Sequence, residues 1–249
     1  MLNDTYILIP SRISSTRLIN KPLIDINGKT LIQRVFKNAL EITSNSYVAT
    51  DSELIKENLK SMSSNIIMTS SDHISGTDRI FEAAKKLKIK DDSFILNLQG
   101  DEPFIPKKLI NQVIKDYSKN KCDVITVSTN IKSNEDITNP NCVLVDTDES
   151  NYATDFRRIG DFTNPRRHIG IYGYSFKILK NITELEPTKN ELENNLEQLR
   201  FLENNYSIYV SYYNENIPNG IDTQEDVSNA IKYLNKKWKY MKIMRLIIH

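Results

Sequence analysis

The chain has 249 residues, of which 39% are hydrophobic and 26% are charged, as is typical of globular proteins. Its 33 basic and 32 acidic side chains give a net charge of +1, which argues against a nucleic-acid polyanion as the main partner. Two cysteines without a C-x-x-C pair exclude a disulfide framework. The N-terminus does not resemble a signal peptide, and no apolar run approaches the roughly 20 residues that span a bilayer, so we expect a cytoplasmic protein without a membrane span.

Short apolar runs alternate with amphipathic segments through the first half of the chain. This alternation predicts an α/β fold with a mostly parallel sheet, in which ligands bind beyond the carboxyl ends of the strands. We predict strands at residues 6–9, 47–49, 66–68, 94–98 and 124–127, with helices near 31–40, 80–87 and 107–117.

The pattern changes after residue 130, where strands follow one another with fewer helices between them. We interpret residues 131–185 as an antiparallel β-layer inserted into a single domain that spans 1–249. The predicted strands are 143–145, 152–156, 169–174 and 208–213, and the predicted helices are 191–204 and 224–238. Residues 235–249 form a basic tail, which is either a docked or frayed helix end or a contact for an anionic surface.

The segment after the first predicted strand is rich in cations. Arg12, Arg17 and Lys21 lie within ten residues of one another, together with four hydroxyl side chains. Arginine and lysine both bind phosphate oxygens, so the segment could hold a triphosphate, although it has no Walker motif. A solvated basic loop is the alternative.

A carboxylate follows the fourth predicted strand in the sequence Gln99-Gly100-Asp101. In an α/β nucleotide enzyme this position suits a Mg²⁺ ligand, because Mg²⁺ takes one or two carboxylates together with substrate phosphates. The alternative is a Gly-Asp turn before a helix.

Eight motifs together resemble the cytidylyltransferases that activate 3-deoxy-manno-octulosonate (Kdo). They include SGTDR at 75–79, HIGIYGY at 168–174 and GIDT at 220–223, and they stand in the family's order. The full set is residues 10–23, 48–51, 75–79, 97–103, 139–141, 168–174, 196–200 and 220–223.

The resemblance implies a Rossmann-like nucleotidyltransferase core, transfer of CMP from CTP to an ulosonic acid for lipopolysaccharide assembly, Mg²⁺ as cofactor, and a homodimer. It also implies roles for individual residues. The CTP-binding residues would be Arg12, Ser14, Arg17, Lys21, Ser75, Gly76, Asp78 and Gln99. The sugar-acid residues would be Arg158, His168, Tyr172, Glu197 and Gln198. Asp101 and Asp222 would bind the metal, and Arg12, Lys21 and Asp101 would be catalytic.

Each implied role has a structural alternative. His168 could be a hydrogen-bonded strand histidine, Glu197 and Gln198 could lie on a solvated helix face, and Asp222 could cap a helix with Glu225 three residues on. The chain also departs from the family, with Ile19-Asn20 in place of Pro-Gly, Leu144 in place of a lysine, and a short connection from Arg158 to His168. These departures leave open another acceptor, such as 8-amino-Kdo or a sialic-type acid, or a catalytically silent nucleotide-binding homologue.

Overall fold

The computed structural model describes residues 4–15, 17–131, 142–160 and 163–247, with side chains described as far as Lys236. The predicted motif at 139–141 lies outside the described residues, as do the side chains of most of the predicted basic tail. Within the described residues, no helix has the length and hydropathy that crossing a membrane requires.

The described chain contains nine strands and eight α-helices, which alternate as far as the fifth strand. The strands are β1 (Thr5–Ser11), β2 (Ser46–Thr50), β3 (Ile66–Met68), β4 (Phe94–Leu98), β5 (Val124–Thr129), β6 (Leu144–Thr147), β7 (Ala153–Arg157), β8 (Arg166–Ser175) and β9 (Ile208–Tyr213). The helices are α1 (Leu31–Leu40), α2 (Glu53–Leu59), α3 (Gly76–Lys86), α4 (Lys107–Lys119), α5 (Phe176–Thr183), α6 (Lys189–Asn194), α7 (Gln198–Glu203) and α8 (Gln224–Ile247).

One sheet carries the strands in the order β3-β2-β1-β4-β8-β5-β9. Its neighbouring strands are parallel except at β8, which runs antiparallel to both β4 and β5. The predicted mostly parallel sheet with antiparallel strands is therefore confirmed. The antiparallel strands do not form a separate layer, because β8 lies within the main sheet and β6 and β7 extend from it.

The central strands are buried on both faces, which explains why apolar residues predominate in them without strict alternation. Side chains alternate between the faces along β1: Ile7 and Ile9 pack on the face covered by α1 and α4, whereas Leu8 packs on the face covered by α3 and α5. Helices therefore cover both faces of the sheet, as in a doubly wound fold.

The structure differs from the sequence prediction in two helical regions. The predicted helix at 191–204 is two helices, α6 and α7, because the chain turns at Asn195, where φ is 52°. Helix α5 was not predicted, although Ser175 caps its first turn by accepting a hydrogen bond from the Ile178 N–H.

The carboxyl ends of β1 and β4 lie very close together, and this contact positions the site. A Cβ atom on Gly100 would lie 2.8 Å from the main-chain oxygen of Pro10, so only glycine fits without moving one of the two strand ends. The basic loop after β1 is thereby held next to Asp101.

Candidate active site

A polar cavity of about 320 Å³ opens at the carboxyl ends of β1 and β4. The loop after β1, the start of α3, the residues after β4 and the loop before α8 all contribute to its wall. Among the residues that line it are Arg12, Ser14, Arg17, Lys21, Ser75, Gly76, Gln99, Asp101 and Asp222. Nine residues of the predicted nucleotide and metal sets thus come together from four separate parts of the chain. We call this the nucleotide cavity.

The Lys21 side chain is fixed by the local backbone. Asn20 has a φ of 51°, a left-handed conformation that asparagine tolerates better than most residues, and a 3₁₀ turn over Lys21–Leu23 follows it. Pro22 is buried in that turn. The Lys21 ammonium lies 2.8 Å from Asp101 Oδ2 and 3.0 Å from Asp222 Oδ1, so it joins two carboxylates that are 121 residues apart in sequence.

The ammonium stays charged in this position. Burial alone would lower the pKa of Lys21, but the two carboxylates outweigh burial and the pKa is raised. Arg17 adds a second cation, with Nη2 3.1 Å from Asp222 Oδ1. The cavity therefore holds positive charge around a pair of carboxylates, as a site for a phosphorylated ligand and a divalent cation requires.

Asp101 and Asp222 fit a Mg²⁺ site by the chemistry of their donor set. Both carboxylates converge on one small cation in the structure, the Lys21 ammonium. Within the described part of the chain no group of three or more His, Cys, Asp or Glu side chains could hold a metal. Two carboxylates match an ion that completes its coordination with phosphates and water.

Asp222 does not cap α8, the alternative that the sequence left open. The N–H of Asp226 donates to the Thr223 hydroxyl, and the Asp226 carboxylate accepts the N–H groups of Asp222 and Thr223. The capping pair is thus Thr223 and Asp226 instead of the expected Asp222 and Glu225. The Asp222 side chain pairs with Lys21 and Arg17.

The loop before α8 is seated directly on the residues that follow β4. The N–H of Ile221 donates to the Asp101 carbonyl at 2.9 Å. A Cβ atom on Gly220 would lie 2.9 Å from Glu102 Oε1, so the absent side chain permits this close approach. These contacts set the position of Asp222 relative to Asp101.

The start of α3 forms another wall of the nucleotide cavity. Ser75 caps the helix by accepting a hydrogen bond from the Asp78 N–H at 3.1 Å and donates its hydroxyl to Asp78 Oδ2 at 2.9 Å. The Asp78 carboxylate is thus used within the helix cap and does not line either cavity that we describe. Its contact with CTP stays a prediction.

A second polar cavity, of about 700 Å³, adjoins the first, and we call it the acceptor cavity. Arg17, Gln99, Asp101 and Asp222 line both cavities, so the carboxylate pair lies where they meet. The acceptor cavity also contains all five residues of the predicted sugar-acid set, which come from β8, the start of α7 and the segment after β7: Arg158, His168, Tyr172, Glu197 and Gln198.

His168 is both a hydrogen-bonded strand residue and a lining residue of the acceptor cavity. Its Nε2 lies 2.8 Å from the Thr126 hydroxyl, which itself donates to the Ile171 carbonyl. Because a threonine hydroxyl has one hydrogen, which goes to Ile171, His168 donates from Nε2. Burial lowers the pKa of His168 to about 3, in agreement with a neutral ring.

Glu197 and Gln198 do not lie on a solvated helix face. Gln198 is buried, and the Glu197 carboxylate accepts a hydrogen bond from the Thr77 hydroxyl at 2.9 Å. Burial raises the pKa of Glu197, and the Thr77 hydroxyl partly offsets this effect. Burial, followed by the nearby Glu197 charge, raises the pKa of Tyr172 well above its usual value.

Several lining residues were not singled out from the sequence. Arg79 lines the nucleotide cavity from α3 and pairs with Asp51 at 2.9 Å. Arg167 and Glu102 line the acceptor cavity. Burial and the Asp101 charge raise the pKa of Glu102 to about 8, against the opposing effect of Arg167. The neighbouring motif residues were the available signal for all three.

The two joined cavities can hold two anionic molecules with their reacting atoms next to one carboxylate pair. Cations from the loop after β1 face the first cavity, and polar groups of β8 and α7 face the second. This arrangement suits transfer of a phosphorylated group from one ligand to the other, since positive charge and a metal would offset the repulsion between anions.

Comparison with known proteins agrees with this chemistry. A family model described as cytidylyltransferase matches residues 6–208. The chain is 40% identical to the 3-deoxy-manno-octulosonate cytidylyltransferase of Francisella tularensis subsp. tularensis (strain FSC 198), over 93% of this chain and 99% of that protein. It is 37% identical to the protein of the same name from Haemophilus influenzae (strain PittGG), over 92% and 98%.

Solved structures show the same relationship. The structure of CMP:2-keto-3-deoxy-manno-octonic acid synthetase complexed with CTP matches with a TM-score of 0.86 and 30% identity, over 94% of this chain and 99% of that one. A putative glucose-1-phosphate thymidylyltransferase from Bacillus anthracis matches with a TM-score of 0.66 and 14% identity, over 92% and 94%, and shares the fold alone.

Proposed function

We propose that this chain, which belongs to the 3-deoxy-manno-octulosonate cytidylyltransferase family, activates Kdo with CTP to give CMP-Kdo and pyrophosphate for lipopolysaccharide synthesis. The observation that carries the proposal is the junction of the two cavities at Asp101 and Asp222. The family shows that the chain is a nucleotidyltransferase, and the agreement with the relatives extends over more than nine-tenths of the chain.

In the proposed reaction, the anomeric hydroxyl oxygen of the acid forms a bond to the α-phosphorus of CTP. The bond from that phosphorus to the β-phosphate oxygen breaks, pyrophosphate leaves, and the hydroxyl proton is released. Arg12, Arg17 and Lys21 supply the cations that bind the triphosphate and stabilise the charge that moves onto pyrophosphate. Lys21 contacts both members of the carboxylate pair, which supports a role for it beside the reacting phosphate.

We propose Mg²⁺ as the metal, held by Asp101 and Asp222. When bound, it would supply charge stabilisation to the phosphate oxygens and bring the two anionic substrates together. The exposure of the two carboxylates, 32% and 41%, leaves room for phosphates and water to complete the coordination.

The proposed acid site is the acceptor cavity. Arg158 is the residue that we assign to the sugar carboxylate, because a guanidinium offers a planar pair of donors to a carboxylate. The neutral His168 and the protonated Tyr172 provide uncharged polar groups for sugar hydroxyls. The buried Glu197 adds a strong acceptor for a hydroxyl donor of the sugar.

Pyrophosphate release tests the proposal directly. We expect release with CTP and Kdo in the presence of Mg²⁺, with CTP preferred over ATP and GTP, and loss of release with EDTA. Asp222→Asn should lower kcat by orders of magnitude without unfolding the protein. Equal turnover with every nucleotide, or full activity of Asp222→Asn, would contradict the nucleotide or the metal assignment respectively.

Three further expectations stay with this proposal. The same assay with 8-amino-Kdo and sialic-type acids identifies the preferred acceptor, and release with none of the acids would favour a silent nucleotide-binding homologue. The homodimer rests on the family resemblance, and light scattering coupled to size-exclusion chromatography tests it. The cytoplasmic location rests on the sequence and would be tested by cell fractionation.

A further inference from the structure

The nucleotide and acceptor cavities share one element besides the carboxylate pair. Ser75 and Gly76, at the start of α3, line the nucleotide cavity. Thr77, the next residue, is only 4% exposed and donates its hydroxyl to Glu197 Oε2 at 2.9 Å. Glu197 lines the acceptor cavity from a position 120 residues further along the chain.

The Glu197 carboxylate depends on α3 for its orientation. Glu197 immediately precedes α7, but its side chain makes no capping hydrogen bond to that helix. Its carboxylate instead accepts a hydrogen bond from the Thr77 hydroxyl. The neighbouring Ser75 hydroxyl donates its single hydrogen to Asp78, whereas the Thr77 hydrogen is directed to Glu197.

The surroundings of Thr77 on the sheet side are polar but uncharged. Burial, followed by the nearby Glu197 charge, raises the pKa of the Tyr174 phenol, and Thr77 is among the groups that oppose this rise. The phenol therefore stays protonated. The Asn97 side-chain amide on β4 donates to the Tyr174 hydroxyl at 3.4 Å.

We infer that Thr77 is a positioning residue for the acceptor: its hydroxyl fixes the Glu197 carboxylate in the acceptor cavity and links it to the helix turn that lines the nucleotide cavity. The inference rests on the proposed function, because it takes the acceptor cavity as the sugar-acid site. The inference predicts that Thr77 affects binding of the acid, although its neighbours Ser75 and Gly76 line the nucleotide cavity.

Thr77→Val removes the hydroxyl and keeps the shape of the side chain. We expect the KM for Kdo to rise on the order of tenfold, because a buried carboxylate loses a charge-assisted hydrogen bond and its orientation. The KM for CTP should stay within about twofold, since Thr77 does not line the nucleotide cavity. Thr77→Ser restores the donor and should restore the KM for Kdo.

Two controls separate this role from a general effect on folding. Thr183→Val is the same change at a hydroxyl that donates to the Lys180 carbonyl within its own helix, and it should alter neither KM. Calorimetric titration of Kdo into each variant saturated with CTP, with EDTA present, measures acid binding apart from turnover. We expect weaker binding by Thr77→Val and normal binding by Thr77→Ser.

The outcomes are distinguishable. If the unmodified protein turns over Kdo and Thr77→Val has the same KM for Kdo, the inference is overturned and the proposed function stands. Equal increases in both KM values, or a failure of Thr77→Ser to restore the acid KM, also overturn it, because either result indicates a general disturbance of α3. If the unmodified protein neither binds nor turns over any acid, the proposed function fails and the inference fails with it.

Discussion

Replacing Lys21 with methionine tests the centre of the site most directly. Methionine keeps most of the length of the side chain but removes the ammonium that joins Asp101 and Asp222. The cation that bridges the two carboxylates is then lost, and Arg17 remains only at Asp222. Because they are 32% and 41% exposed, solvent screens part of the loss, and we expect a stability decrease of about 1–2 kcal/mol rather than the larger cost of a fully buried pair.

This decrease should lower the melting temperature by roughly 2–8 °C for a chain of this size. Millimolar Mg²⁺ should recover part of the loss without nucleotide, since the vacant carboxylate pair would bind a cation that the folded state alone offers. In the unmodified protein the ammonium competes for that position, so Mg²⁺ should shift its melting temperature less.

The effect on activity should be larger. Removing one preorganised donor to a developing negative charge costs about a hundredfold to a thousandfold in rate, and we expect a loss of that order in pyrophosphate release for Lys21→Met. Lys29→Met, at an exposed side chain in the same segment, is the matched control and should change neither property. Activity of Lys21→Met within threefold of the unmodified protein, at an unchanged melting temperature, would refute the assignment of Lys21.

Three other predictions follow from contacts elsewhere in the site. Gly100→Ala should lower the free energy of unfolding in urea by about 1–3 kcal/mol, because the new Cβ would lie 2.8 Å from the Pro10 carbonyl oxygen. Gly170→Ala, whose Cβ would have its nearest contact at 3.9 Å, should lower it less, and equal decreases would contradict the close approach at Gly100. Arg158→Ala should raise the KM for Kdo at least about tenfold, and an effect confined to CTP kinetics would place the acid elsewhere. His168 has a folded pKa of about 3, below its unfolded value, so its contribution to stability is complete above about pH 6.5 and is lost as the pH falls toward 3. Unfolding of His168→Gln should therefore depend less on pH across that range, and parallel pH curves would count against a buried neutral ring.

The sequence predicted the sheet well where strands are buried on both faces. β1, β4 and β5 are buried along almost their whole length and are rich in apolar residues, a pattern that has few alternatives once helices flank it. The place of β8 was not predictable from its own pattern, because insertion between β4 and β5 depends on pairing with strands that lie far away in the sequence. The end of α6 at Asn195 was not predicted, because hydrophobic periodicity does not reveal a single residue with positive φ.

In the candidate site, too, some features were predictable from the sequence and others were not. Motif positions predicted which residues line the two cavities, with Asp78 as the exception, because each motif residue lies at a strand end or helix start that the fold brings together. The partners of those residues were not predictable. The bond from Thr77 to Glu197 and the pair of Arg79 with Asp51 join segments that are far apart in sequence, and either side chain could serve other local roles.

The position of the carboxylate pair follows from a chemical requirement. The attacking hydroxyl and the α-phosphorus must come within bonding distance while their carriers are both anions, so the compensating charge has to lie between the two ligands. A strand end supplies Asp101, and the loop seated on it supplies Asp222 through the Ile221 hydrogen bond to the Asp101 carbonyl. One main-chain hydrogen bond thus ties the geometry of the proposed metal site to the junction of the cavities, and a displacement of either segment would separate the two carboxylates.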